Sequence, residues 1–296
     1  MTNNIITAAK DLVTQKTDTM NGFIEQAKEK RKDIIKYTKT LNYFLLNKHL
    51  IKDIHIARQD KLIMQFLTAA AMLSQKSLLY FSIEEQNRII SEIIDFSKFN
   101  DKEYLEQLKH QYLINCGESL GGSMRNIIGQ KAQNYFISTI LETLQQKGYQ
   151  FNIVRSKKDK IVQISWKDRA IFFDKKPKIV GKSIDFIVVK GNSAKNNDIE
   201  NLDDYIICGE LKGGVDPAGA DEHWKTGLSA LNRIDKVFTD YSKKRPILIF
   251  LGSAIASFMA GEIFHLLEKK WLGSAANINN NQQLQNIVNL IIEEQP

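Results

Sequence analysis

The first part of the chain reads as helix after helix. Leu62, Ile63, Phe66, Leu67, Ala70 and Leu73 recur at helical intervals, and Ile89, Ile90, Ile93, Ile94 and Phe96 repeat the spacing farther on. No proline occurs before Pro177, so nothing forces a break in this region, and a helical domain over residues 1–115 is expected. The segment CGESLGGSMR, residues 116–125, carries three glycines and is read as a loop. Helical periodicity then returns over Asn126 to Gln146 through Ile127, Ala132, Phe136, Ile140 and Leu144.

From residue 149 the texture changes to short β-rich runs: YQFNIV, KIVQISW, AIFF, SIDFIVV and DYIICGEL, separated by lysine, glycine and asparagine turns. Asp221 to Tyr241 is helical, PILIFLG (246–252) is a buried strand, and two more helices finish the chain, with the asparagine run Asn277 to Asn281 as a loop. This order predicts an α/β fold: a mixed central sheet flanked by helices over residues 116–296, preceded by the helical domain.

A chain of 296 residues buries enough core to need no disulfide or structural metal, and its two cysteines, Cys116 and Cys208, lack metal-ligand spacing. They fit a reduced, cytoplasmic protein. No apolar stretch reaches the roughly 18 residues of a membrane span. The net charge of +7 adds a modest preference for a polyanionic partner such as nucleic acid.

The chemistry concentrates where the strand Tyr205-Ile206-Ile207-Cys208 runs into Gly209-Glu210-Leu211-Lys212 and stops at Gly213-Gly214. Side chains alternate along a strand, so Glu210 and Lys212 share a face. Asp185, within the apolar strand SIDFIVV, needs a reason to be there, because an unpaired buried carboxylate is costly. If the two strands pair, Asp185 sits beside Glu210. Phosphodiester hydrolysis requires charge neutralisation and a deprotonated water, which Mg2+ held by carboxylate oxygens supplies. Lys212 adds a positive charge able to orient or activate that water, and the carbonyl of Leu211 is a further hard ligand. Asp203 and Asp204 compete with Asp185 for the metal role, but they precede the strand in a polar turn.

Asp185 followed by Glu210-x-Lys212 resembles the signature of the PD-(D/E)xK nucleases. The longer string ELKGGVDPAGADEHWKT, residues 210–226, is similar to the corresponding stretch of the AvaI/BsoBI group of type II restriction endonucleases, and the order of elements agrees across residues 117–250. The resemblance implies a restriction-endonuclease-like fold, Mg2+-dependent and site-specific cleavage of double-stranded DNA by a homodimer, helices that surround the DNA, and a cognate methyltransferase that protects host DNA. It further implies a histidine after the Glu-x-Lys strand that lies at the active site as general base, the position of His223.

On the residues alone, Asp216 or Asp221 caps a helix with a buried stripe of Trp224, Leu228, Leu231, Ile234 and Phe238. His223 lies off that stripe, facing either the carboxylates or solvent. Ser123, Arg125 and Lys225 are candidate DNA contacts, and Glu118 is either an upstream acid or an exposed one. The basic run Lys28, Lys30, Arg31 and Lys32 alternates with glutamates and reads as a solvated helix face, and Trp166 and Trp224 read as core. Two alternatives stand beside restriction: a repair or recombination nuclease on the same fold, and a DNA-binding module that has lost catalysis.

Overall fold

The computed structural model of the chain describes residues 5–242 and 244–293. Its contacts divide the chain into one unit formed by the residues up to Phe23 together with those from Ile127 onward, and a second unit spanning Ile24–Asn126. The helices of the first part are α1 (Lys16–Asn47), α2 (Ile54–Ala57), α3 (Lys61–Ala70), α4 (Gln75–Leu78), α5 (Ile83–Ile93) and α6 (Lys102–Gln146). Side chains start them where the backbone would otherwise leave N–H groups unpaired. The Asp60 carboxylate accepts from the N–H groups of Leu62 and Ile63. Ser82 and Glu85 cap α5 reciprocally. The second unit closes on an aromatic core in which Phe44 stacks on Phe66 at 3.8 Å between ring centroids and Phe66 on Tyr112 at 4.8 Å.

The first unit is built on a seven-stranded sheet in the order β1 (Phe151–Arg155), β2 (Ile161–Trp166), β3 (Arg169–Lys175), β4 (Ile184–Lys190), β5 (Tyr205–Lys212), β6 (Ile247–Gly252) and β7 (Ser274–Asn277). Strands β1 to β5 run antiparallel to their neighbours, and β5, β6 and β7 are parallel. Parallel neighbours need crossovers, supplied by α8 (Ala220–Tyr241) and α9 (Ser257–Glu268). A short helix, α7 (Gly191–Asn196), follows β4, and α10 (Asn281–Glu293) ends the described chain. One sheet face packs on Trp224, Leu231, Ile234 and Phe238 of α8 and on Met259 and Ile263 of α9. The other packs on Phe136, Ile140 and Leu144 of α6 and on Ile287 and Ile291 of α10. Trp166 and Trp224 are both core residues, as expected.

Three expectations are corrected. Residues 116–125 are not a loop: Glu118, Ser123 and Arg125 lie within α6. Leu108, Tyr112, Cys116, Leu120 and Met124, all buried, carry one apolar row through the glycines, and that burial outweighs the glycines' poor helix propensity. Strand β7 was not foreseen, because Ser-Ala-Ala-Asn has little intrinsic strand preference and forms only beside β6. Asn277 is not a loop residue but the buried end of β7. Its amide donates to the carbonyl of Leu12 and to Thr14 Oγ1, and Gln283 donates to the carbonyl of Asp11. These bonds fasten the segment that holds buried Ile6 and Leu12 to the sheet unit. Among the described residues no helix is long and apolar enough to cross a membrane.

The register of β4 against β5 places Phe186 opposite Gly209. A Cβ on Gly209 would run into the Phe186 ring, with Cε2 2.5 Å away, so the ring covers the glycine and locks the pairing. Gly209→Ala is therefore expected to destabilise the protein. In contrast, Gly121→Ala and Gly122→Ala meet no atom within 4 Å and are each expected to stabilise α6 by up to about 1 kcal/mol. Urea unfolding of the three variants checks the opposite signs.

Candidate active site

One step beyond the Phe186–Gly209 pair, the same register brings Asp185 and Glu210 side by side. Asp185 Oδ2 accepts a 2.7 Å hydrogen bond from the N–H of Leu211, which pins the carboxylate across the β4–β5 ladder. Glu210 is buried, with 5% of its surface exposed, and Lys212 Nζ donates to its Oε1 at 2.6 Å. The lysine stem reaches this position beside α8, where Gly227 leaves room: a Cβ there would lie 3.5 Å from Lys212 Cε and 2.9 Å from Phe250 Cε2. The structure thus brings together Asp185, Glu210, Leu211 and Lys212.

Burial dominates the electrostatics. It pushes the Glu210 carboxyl up to about 7, reinforced by the neighbouring Asp185 charge and opposed by Lys212 and Arg233. Burial also raises Asp185, against the Leu211 hydrogen bond and the Lys212 charge, while Asp174 adds to the rise. Two adjacent acids in low dielectric disfavour full ionisation, and a cation between them reverses that preference. The donor set suits Mg2+, which takes one or two carboxylates and completes its shell with water and substrate phosphate oxygens. Among the described residues, no three His, Cys, Asp or Glu side chains gather into a metal cage of their own.

His223 stands in the first turn of α8, half-buried, with its ring against the backbone of Gly214. Asp216 caps the short 3-10 turn Pro217–Gly219 that leads into α8, while the N-cap residue of α8 itself is Gly219, with no capping side chain. Leu228 is only partly buried, and Gly227 and Ala230 join the buried face instead. Asp203 and Asp204 lie at the opposite end of β5: Asp203 accepts from Ser242 Oγ, and Asp204 from the Ser193 N–H and the Asn201 amide. Lys225 is exposed and paired with Asp221 at 2.5 Å. Glu118 and Arg125 are exposed on α6, and Ser123 Oγ bonds back to the Leu120 carbonyl. On α1, Lys28 pairs with Glu25 and Lys32 with Glu29 in a solvated face.

Two residues near the carboxylates went unnoticed in the sequence. Asp174, in β3, takes a left-handed backbone (φ 54°), an excursion aspartate tolerates, and accepts 2.9 Å from Gln133 Nε2 of α6. Its position next to Asp185 exists only through the β3–β4 register, in which Phe173 faces Phe186 and Lys175 faces Ile184. Arg233 of α8 brings a second cation toward Glu210, and its buried Nε has no hydrogen-bond partner among the described residues.

Residues 2–293 match the family described as restriction endonuclease BsobI. The chain is 32% identical over 298 residues to the type II restriction enzyme AvaI of Nostoc sp., covering 94% of each, and equally to that of Anabaena variabilis. Against the type II restriction enzyme BsoBI of Geobacillus stearothermophilus it is 28% identical over 314 residues, covering 98% of this chain and 97% of the relative.

The raised Glu210 carboxyl has a consequence for stability. Below its unfolded value of 4.5 the group is protonated in both states; above about 7 it is ionised in both, and the folded state carries the full cost. Between these limits its contribution to stability falls as pH rises. In metal-free buffer, the melting temperature of Glu210→Gln relative to the unsubstituted protein is therefore expected to climb between pH 4.5 and 7 and then level off. A pH-independent difference would contradict this environment for Glu210.

Proposed function

The chain belongs to the restriction endonuclease BsobI family, and on that premise we propose how it cuts: it is a type II restriction endonuclease that hydrolyses double-stranded DNA with Mg2+ held by Asp185, Glu210 and the Leu211 carbonyl. The observation that carries this reading is the pairing of a buried carboxylate, Glu210, and a half-buried one, Asp185, with a lysine at the end of β5. The whole-length match to named restriction enzymes decides against a repair nuclease or a non-catalytic module.

Bound magnesium supplies positive charge beside the scissile phosphate and a more acidic water. Asp185 is held for this task by the Leu211 N–H, so one carboxylate oxygen is fixed before any ligand arrives. Glu210 gives up its proton as the site fills and leaves its oxygens as acceptors. Lys212 aligns the attacking water by hydrogen bonding and balances charge on the phosphoryl oxygens. His223 accepts the proton of that water as its oxygen bonds to phosphorus. One P–O ester bond breaks, and the departing oxygen takes a proton from solvent.

A homodimer matches a palindromic site with two such centres. The helices of residues 24–126 grip DNA or the partner subunit, and Ser123 and Arg125 of α6 and Lys225 of α8 are phosphate contacts. The enzyme works in the cytoplasm beside a methyltransferase that protects host DNA.

Glu210→Gln keeps the volume and removes the ligand charge, so cleavage of plasmid DNA in Mg2+ is expected to collapse while DNA affinity persists. Asp185→Asn is expected to behave alike, and Asp203→Asn to cut normally. Isothermal titration calorimetry with Mg2+ near pH 6.5, in buffers of different ionisation enthalpy, should show proton release that the Gln variant lacks. Cleavage by Glu210→Gln at the original rate would overturn the assignment.

A further inference from the structure

A general base is commonly aimed by a hydrogen bond to its second ring nitrogen. The His223 imidazole has no such orienter: it makes no hydrogen bond to the described residues. What it has is a surface. A Cβ on Gly214 would lie 2.8 Å from His223 Cδ2 and 3.2 Å from Cε1, and closer still to Nε2. The ring occupies the space that a side chain at position 214 would fill.

That surface is itself fixed on both sides. The carbonyl of Lys212 accepts from the Ser253 N–H at 2.9 Å. Gly213 is pressed against α6, where its missing Cβ would lie 2.7 Å from Ala132 Cβ, 3.0 Å from Gly129 Cα and 3.1 Å from the Ile128 carbonyl. Val215 is seated on α1, with its Cβ 2.8 Å and its Cγ1 2.9 Å from where a Cβ on Gly22 would stand. Asp216 then closes the segment by capping the turn through the Ala218 N–H at 2.9 Å. Four residues around Gly214 are held by bonds or by backbone-tight packing. The loop is held against the imidazole, and the three atoms nearest a Cβ at position 214 all belong to the far end of the His223 side chain, which would have to give way.

We propose that Gly214 is a positioning residue for the cleavage reaction: its bare backbone, clamped between α1 and α6, orients His223 by shape in place of a hydrogen bond. This rests on His223 being the general base. Gly214 does not have a left-handed backbone, so alanine is excluded there by the imidazole alone and not by conformation. The neighbouring Gly219 supplies the contrast, since a Cβ on it would lie 3.5 Å from Nε2, an ordinary contact.

The test compares single-turnover DNA cleavage and DNA affinity for Gly214→Ala, Gly219→Ala, His223→Ala and the Gly214→Ala/His223→Ala double variant. The expected result is a fall of about 10²-fold for Gly214→Ala and for His223→Ala, no further fall in the double variant, an unchanged Gly219→Ala rate, and unchanged affinity throughout. Mass spectrometry of diethyl pyrocarbonate modification gives a second reading without activity: His223 should react faster in Gly214→Ala than in the unsubstituted protein. If His223→Ala falls while Gly214→Ala cuts and is modified normally, the positioning role is wrong and the base assignment stands. Full activity of His223→Ala removes both. Multiplicative losses in the double variant would mean that Gly214 acts independently of the histidine, which also overturns the proposal.

Discussion

Two carboxylates side by side in a buried sheet margin are unstable as a fully ionised pair, and the site is organised around that constraint. Burial and the Asp185 charge drive Glu210 toward neutrality, and Lys212 and Arg233 only partly oppose them. The arrangement is tolerated because the β4–β5 ladder is locked by Phe186 lying over Gly209, so the acids cannot separate by slipping register. A one-residue slip would send Asp185 to the opposite face. The fold thus holds repulsion in place, and a divalent cation gains most from its relief.

The same close-approach device recurs around the site. Gly227 lets Lys212 and Phe250 pass α8, Gly213 lets β5 end against α6, and Gly22 admits Val215. Each of these glycines is defined by what lies against it and not by a turn. Together they set a rigid path from β5 to α8, along which Glu210, Lys212 and His223 are spaced. Rigid first-contact geometry of this kind limits the reorganisation needed when charge develops in the transition state.

Much of this was legible because it depends on local period. Alternation along Tyr205 to Lys212 put Glu210 and Lys212 on one face, and the 3.6-residue stripe placed α8 with Trp224 and Phe238 inward. The residues that escaped depend on long-range register. Asp174 ends an apolar strand like any solvent-facing acid, and only the β3–β4 pairing brings it to Asp185. Arg233 sits among ordinary helix residues, and β7 exists only as an addition to β6. The α6 glycines differ: glycine clusters ordinarily break helices, but here the buried row from Leu108 to Met124 continues beneath them. The segment with Ile6 and Leu12 joined the sheet unit through Asn277 and Gln283, polar side chains whose partners lie more than 200 residues away in sequence.

The central claim is that Asp185 and Glu210 jointly hold the catalytic cation. Soaking crystals of a DNA complex with Mn2+ and locating the ion by anomalous scattering tests it most directly. The account predicts an anomalous peak bridging the Asp185 and Glu210 carboxylates, with the Leu211 carbonyl as a further ligand and Lys212 beside the scissile phosphate. A peak at Asp203 and Asp204, or one that touches Glu210 without Asp185, would contradict it.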